Sequence, residues 1–199
     1  MDSEQKMPRP KTKKEKLAVF YDAVEVVAVA VVIVLVIFAF VGRLSTVDGD
    51  SMYDTLENGE RLIISNFLYK PKTGDIIVFQ QSGKYFSEPL VKRVIATEGQ
   101  TVKIDFNAWM VWVDGALLNE KYVTYEAGKK MKIDNYDTMY ADIMNENGEI
   151  TVPEGYIFVM GDNRNHSSDS RFSGVGLVRE EDVMGRVLFR LFPHFGLVE

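Results

Sequence analysis

The 199-residue chain sets 23 Lys/Arg against 29 Asp/Glu for a net charge of −6, and 46% of its residues are hydrophobic. That length holds one membrane anchor and one globular domain with a continuous core, and leaves no room for a second independent domain. The acidic balance argues against nucleic acid as a partner, and the lack of any cysteine excludes disulfides, a cysteine nucleophile and thiolate metal sites.

The basic charge is local. Residues 1–16 hold six Lys/Arg and three Asp/Glu, which leaves −9 for the remainder. With Pro8, Pro10 and five lysines, Met1 to Lys16 has too little apolar surface to fold. Residues 1–22 are therefore expected to form a basic cytoplasmic tail suited to an anionic membrane face. Val26 to Val41 is an unbroken apolar run of sixteen residues. Extended back to Ala23 it approaches the ~20 residues that a span requires, so residues 23–41 are read as a transmembrane helix. Asp22 and Glu25, three apart on one helical face, belong at the headgroup level. Lysines before the run and only Arg43 after it predict the N-terminus inside and residues 42–199 outside. A cleaved signal peptide is the main rival, yet the run exceeds an ordinary h-region and Phe40 spoils the small-x-small cleavage pattern. A buried strand or core helix leaves the basic flank unexplained.

Beyond Gly42 the chain reads as mainly β. Short β-branched segments occur at Arg61–Ser65, Asp75–Gln80, Leu90–Ala96 and Gln100–Ile104. Trp109–Val113 and Ala116–Leu118 flank Asp114-Gly115, the signature of a hairpin on a two-residue turn. Residues 105–150 look like a variable insertion; within them, Tyr122 to Asn147 is a candidate lid. Strand signals return at Glu149–Val152, Tyr156–Met160 and Val183–Phe192. There is no internal repeat.

Three polar stretches carry the chemistry. Ser51, in Gly49-Asp50-Ser51-Met52 just beyond the anchor, becomes a nucleophile only if a neighbouring base takes its proton. Lys92 supplies one. In a strand, alternate residues share a face, so Lys92 groups with Leu90, Val94 and Ala96 while Arg93 points the other way. Apolar surroundings disfavour the ammonium and prepare a neutral amine. A snorkelling edge-strand lysine is the bland alternative. Gly161 through Arg171 is too polar for ordinary core; Asp169 and Arg171 are close enough to pair, and Asp162, Asn163 and Arg164 suit loop bracing. A Ser51–His166–Asp169 triad is the competing constellation.

These stretches, with Thr55-Leu56 and Gly74-Asp75-Ile76-Ile77-Val78-Phe79, occur in the order found in bacterial type I signal peptidases, and the chain resembles the single-anchor Gram-positive kind from the anchor to its last strands. The resemblance implies an antiparallel β catalytic domain and a membrane-anchored serine endopeptidase that cleaves signal peptides through an acyl-enzyme, with no metal and no cofactor. It implies Ser51 as nucleophile, Lys92 as general base, Ser167 as a hydrogen-bond partner of Lys92, and Asp169–Arg171 as a buried ion pair. Met52, Val47 and Val91 are expected to line shallow pockets for small residues at the substrate's −1 and −3 positions. The Ser51 N–H is the first donor to the developing oxyanion; Gly49 stands where many relatives place a second serine donor, and Asp54 stands where they carry proline. The partners implied are preproteins, membrane lipid and the secretion machinery. A catalytically silent envelope-binding domain and a self-cleaving or regulatory Ser-Lys protease are the readings from other classes.

Overall fold

In the computed structural model, residues 12–81 and 86–198 are described, with Glu15 and residues 37–41 described through their backbone only. The proposed tail therefore lies largely outside the described residues. Helix α1 runs from Lys13 to Val41, so helical backbone begins ten residues before the expected span. Its stretch Lys16–Val36, 21 residues of mean hydropathy 2.6, is long and apolar enough to cross a membrane. The described side chains of Leu17 to Val36 are exposed, with Val, Ile and Leu on every face. An all-round apolar helix of this kind needs a partner or lipid to cover it. Residues 1–40 and 41–199 form two separate compact units.

The second unit is antiparallel β. In chain order its strands are β1 (Arg43–Thr46), β2 (Arg61–Ser65), β3 (Ile76–Phe79), β4 (Leu90–Ala96), β5 (Thr101–Asp105) and β6 (Met110–Val113). They continue with β7 (Ala116–Leu117), β8 (Ile150–Thr151), β9 (Tyr156–Met160), β10 (Val178–Arg179), β11 (Val183–Phe192) and β12 (Gly196–Leu197). The larger sheet has the order β1-β2-β11-β3-β4-β9-β10, with β12 added to β11; the smaller runs β7-β6-β5-β8. A single turn of helix, α2 (Tyr136–Met139), lies between β7 and β8. Each strand read from the sequence is present within a residue or two of its expected ends. The hairpin turn is Asp114-Gly115, both with φ > 0, as a type I′ turn requires.

Strand β4 is central, hydrogen-bonded to β3 on one side and β9 on the other. Both of its faces are covered. Val91 packs with Val47, Met52, Leu56, Leu62, Ile64 and Val78, whereas Leu90 and Val94 pack with Ile77, Phe79, Ile157 and Val159. The third cluster joins the two sheets, setting Val102, Val111 and Ile150 against Ile95, Phe158 and Met160. The smaller sheet is thus a built part of the core rather than a detachable cover.

Candidate active site

Ser51 lies in the turns between β1 and β2. Leu56 N–H donates to Met52 O at 2.8 Å and Tyr53 N–H to Asp50 O at 3.1 Å, which winds Asp50–Leu56 into a compact corner. Gly49 enters it at φ +88° with nothing near a would-be Cβ, and its N–H donates to Asn58 Oδ1 at 3.0 Å. Gly49 therefore contributes backbone geometry, with no side-chain donor to offer. The polar run answers from the other side: Asn163 N–H donates to Ser51 O at 3.0 Å and Asn163 Nδ2 to Asp50 O at 3.1 Å. Among the described residues, no hydrogen bond occupies the Ser51 N–H.

Lys92 meets Ser51 from β4. Its Nζ is 2.8 Å from Ser51 Oγ and donates to Val91 O at 2.9 Å, and the residue is only 2% exposed. Burial pushes the Lys92 amine down to about 8; Asp169 and Asp162 pull it back up, and Arg171 opposes them. Alternation grouped this lysine with Leu90, Val94 and Ala96; Leu90 and Val94 pack in one cluster, whereas Ala96, beyond a register shift, joins the cluster between the sheets.

Ser167 differs from expectation. Its Oγ donates to Asp169 Oδ2 at 2.7 Å, and the hydrogen bonds of Lys92 Nζ go to Ser51 Oγ and Val91 O. A buried carboxylate is the stronger acceptor. Burial tends to push the Asp169 carboxyl up, but the Arg171 guanidinium, with bonds from Gly161 N–H and Ser167, holds it below its ordinary value. Arg171 Nε and Nη2 reach Asp169 at 2.8 and 2.7 Å, so the expected buried pair is present. Gly161 is the point of closest approach: a Cβ there would lie 2.3 Å from Ser167 Oγ and 2.5 Å from Ser51 O.

His166 is brought to neither group. Its ring is half exposed and its Nε2 pairs with Glu126 Oε1 at 3.1 Å, while Asp169 is committed to Arg171. The geometry disfavours the triad.

Sequence reading gave Arg93 no role. It grips Asp162 in a fork, Nε to Oδ1 at 2.9 Å and Nη2 to Oδ2 at 2.8 Å, and Thr55 Oγ1 donates to the same carboxylate at 2.6 Å. The nucleophile corner, β4 and the polar loop are thereby tied at one buried anion. The available signal was an arginine in a central strand, where a cation must be paired. The candidate lid is likewise a brace: Asn165 Oδ1 accepts from Lys132 N–H at 2.8 Å and its Nδ2 donates to Glu126 Oε2 at 2.8 Å. Tyr140 Oη donates to Ser170 O at 2.7 Å. Asp54 Oδ2 accepts a long bond from Thr124 Oγ1 at 3.4 Å, so the residue in proline's place is tied to the same region.

Val47, Met52 and Val91 do come together, but as covered core. A cleft of about 370 Å³ opens beside them, lined by Ser45 and Thr46 of β1, Ile64 of β2, Pro89 just before β4 and Met184 of β11, among others. Ile64 belongs to the same apolar cluster and Met184 packs against it. Among the described residues β1 pairs only with β2, leaving its outer edge open. No group of three or more His/Asp/Glu among the described residues is arranged to hold a metal ion.

The comparisons with known proteins concern the same stretches. The model of the family described as "Signal peptidase, peptidase S26" matches residues 20–192. The "Probable signal peptidase I-1" of Synechocystis sp. (strain ATCC 27184 / PCC 6803 / Kazusa) is 36% identical over 163 residues, 77% of this chain and 73% of its own. "Signal peptidase I T" of Bacillus subtilis (strain 168) is 32% identical over 196 residues, 97% of this chain and 96% of its own. A crystal structure of a signal peptidase I from Enterococcus faecalis V583 is 30% identical and covers 59% of this chain and 97% of its own, with a TM-score of 0.45. A family match across nearly the whole β unit and part of the anchor, joined by relatives similar along most of their length, leads to one conclusion: the chain belongs to the signal peptidase family, peptidase S26, and is a serine endopeptidase of the signal peptidase I type.

Proposed function

We propose that this protein removes signal peptides from exported preproteins at the outer face of the cytoplasmic membrane, with Ser51 as nucleophile and Lys92 as general base. The observation that carries the reading is the 2.8 Å contact between Lys92 Nζ and Ser51 Oγ, made by a buried lysine whose amine is pushed down to about 8. The neutral amine takes the Ser51 proton as Oγ attacks the scissile carbonyl carbon. The oxyanion that forms is met by the Ser51 N–H, a donor that costs no reorganisation. Collapse of the tetrahedral species breaks the C–N bond, and Lys92 returns the proton to the departing amine. Water then enters, gives a proton to Lys92 and attacks the acyl-enzyme ester, releasing the signal peptide and restoring Ser51.

The substrate is recognised as an extended strand. The open edge of β1 offers main-chain groups, and the cleft bounded by Ser45, Ile64, Pro89 and Met184 admits small side chains near the apolar cluster of Val47, Met52 and Val91. A preference for small residues at −1 and −3 is what the resemblance to signal peptidases implies for this cleft. Incubation of the full-length protein in detergent with a purified preprotein, followed by sequencing of the new N-terminus, is expected to show a single cut directly after a small residue that has a second small residue two places before it. An intact preprotein with a trimmed enzyme would favour self-cleavage instead, and an intact pair would favour the silent binding domain.

Membrane lipid and the secretion machinery are the surroundings this reading implies. The excess of lysines before the apolar run supports an N-terminus inside and a catalytic unit outside. A reporter enzyme active only outside the membrane, fused after Glu199, is expected to give signal in cells; signal from a reporter active only in the cytoplasm would reject this orientation.

A further inference from the structure

The polar loop is held from behind by a residue that the proposed chemistry does not use. Glu120, in the segment that leaves β7, is 7% exposed, and Arg164 is fully buried. The two form a fork: Arg164 Nη2 pairs with Glu120 Oε1, and Arg164 Nη1 donates to Glu120 Oε2 at 3.2 Å. The guanidinium also turns inward, Arg164 Nε donating to Gly161 O at 3.1 Å, while Arg171 Nη2 donates to Arg164 O at 2.6 Å. Gly161 in turn is the residue against which Ser51 O and Ser167 Oγ rest. Two residues further along the same segment, Tyr122 lies beneath Arg93 with the guanidinium carbon 3.8 Å from its ring centroid, and its hydroxyl donates to Glu120 Oε1 at 3.2 Å.

We infer that Glu120 is a positioning residue for the nucleophile, acting through Arg164 to fix Gly161 and so the distance between Ser51 and Lys92. A buried guanidinium without its carboxylate is an uncompensated charge that must move toward water or draw water in. Arg164 cannot move without releasing the Gly161 carbonyl, because one side chain holds both. The short segment Glu120–Tyr122 therefore supports the two arginines, Arg164 and Arg93, that brace the loop from opposite ends. By this route the smaller sheet takes part in catalysis while touching neither substrate nor the reacting atoms. The inference rests on the Ser51–Lys92 reading, and its test keeps the two apart.

The full-length protein and its Glu120→Ala, Glu120→Gln, Glu120→Asp, Arg164→Met, Glu120→Gln/Arg164→Met and Lys92→Ala variants are compared in detergent on one preprotein. kcat and KM are measured at temperatures where circular dichroism shows the protein folded. Glu120→Ala is expected to lower kcat about ten- to a hundredfold, the scale of a small misplacement of reacting groups, with KM changed less than about threefold. Glu120→Asp, which keeps the charge, is expected to recover more of kcat than Glu120→Gln. In the Arg164→Met background, Glu120→Gln is expected to cost nothing further, since the group it acts through is gone. Unchanged kcat per folded molecule, a loss confined to KM, or full additivity in the double variant would each overturn the role of Glu120. If Glu120→Ala fails to fold, the Gln and Asp variants and the cycle with Arg164 decide the matter alone. Turnover by Lys92→Ala would refute the dyad itself, an outcome separate from all of these.

Discussion

Alanine at Ser51 or at Lys92 is expected to stop preprotein cleavage, lowering kcat by about a thousandfold or more, the scale on which a nucleophile or its base is missed. The parent enzyme is expected to lose activity about tenfold per pH unit below pH 8, because the amine pushed down to about 8 must be neutral to accept the Ser51 proton. A histidine base would place that fall near pH 6.5. The same burial has a stability cost. Lys92 shifts from its ordinary 10.5 to about 8 on folding, a difference worth about 3 kcal/mol. Below pH 8 the amine is protonated in both folded and unfolded chains, so the cost is at its full and constant value. Between 8 and 10.5 the folded state sheds its proton first and the cost fades with rising pH. Lys92→Met, inert as an enzyme, is therefore expected to unfold at higher temperature than the parent at pH 7, the gap closing towards pH 10.5. A Met variant less stable at pH 7, or one that still cleaves, would remove Lys92 from the role proposed.

Arg171→Met is the second large effect expected, and it concerns the scaffold. Arg171 and Asp169 have fully buried side chains, and the carboxylate also holds Gly161 N–H and Ser167 Oγ. Removing the cation leaves the anion with three neutral donors, Gly161 N–H, Ser167 Oγ and the backbone N–H of residue 171, in a place water does not reach, a loss on the order of 3–5 kcal/mol. Urea unfolding of the full chain in detergent at pH 7 measures it directly. The sign with pH is opposite to that of Lys92. A carboxyl held below its ordinary value contributes stability above the unfolded pKa of about 3.9 and loses it as pH falls through the folded value. In the variant, burial acts on Asp169 without Arg171 to oppose it, so acid relieves that penalty. The gap between parent and variant is thus expected to narrow as pH falls from the variant's raised Asp169 value, above the ordinary carboxyl range, to the parent's lowered one, and a gap constant with pH would mean that the pair is not what Arg171 contributes.

What was legible in the sequence is what local chemistry determines. The anchor is unbroken apolar sequence from Val26 to Val41, the strands are β-branched, and Asp114-Gly115 accepts the positive φ its turn demands. Ser51 and Lys92 were singled out because the four stretches occur in order, and the structure brings the two within 2.8 Å. Arg43–Thr46 was missed as a strand because it is short and polar, and its pairing with β2 comes from tertiary placement. Arg93 was left without a role because alternation says which face a residue takes, not whether that face is covered; here β3 and β9 flank the strand and both faces are buried. Its partner Asp162 is 69 residues away, and Glu120 is 44 from Arg164. Pairings at such separations leave no local pattern. For Ser167 the resemblance implied a bond to Lys92, whereas its hydroxyl donates to Asp169, two residues away.

Gly49 and Gly161 flank the nucleophile corner and are glycine for opposite reasons. At 49 there is space but a backbone turn with φ +88°, so the constraint is one of shape and a side chain there is strained although nothing would touch it. At 161 the φ is ordinary and the constraint is volume: a single methyl group would lie 2.5 Å from the Ser51 carbonyl oxygen. Anyone diversifying this corner to alter its selectivity therefore meets a backbone limit at one end and a steric one at the other, where only a hydrogen fits.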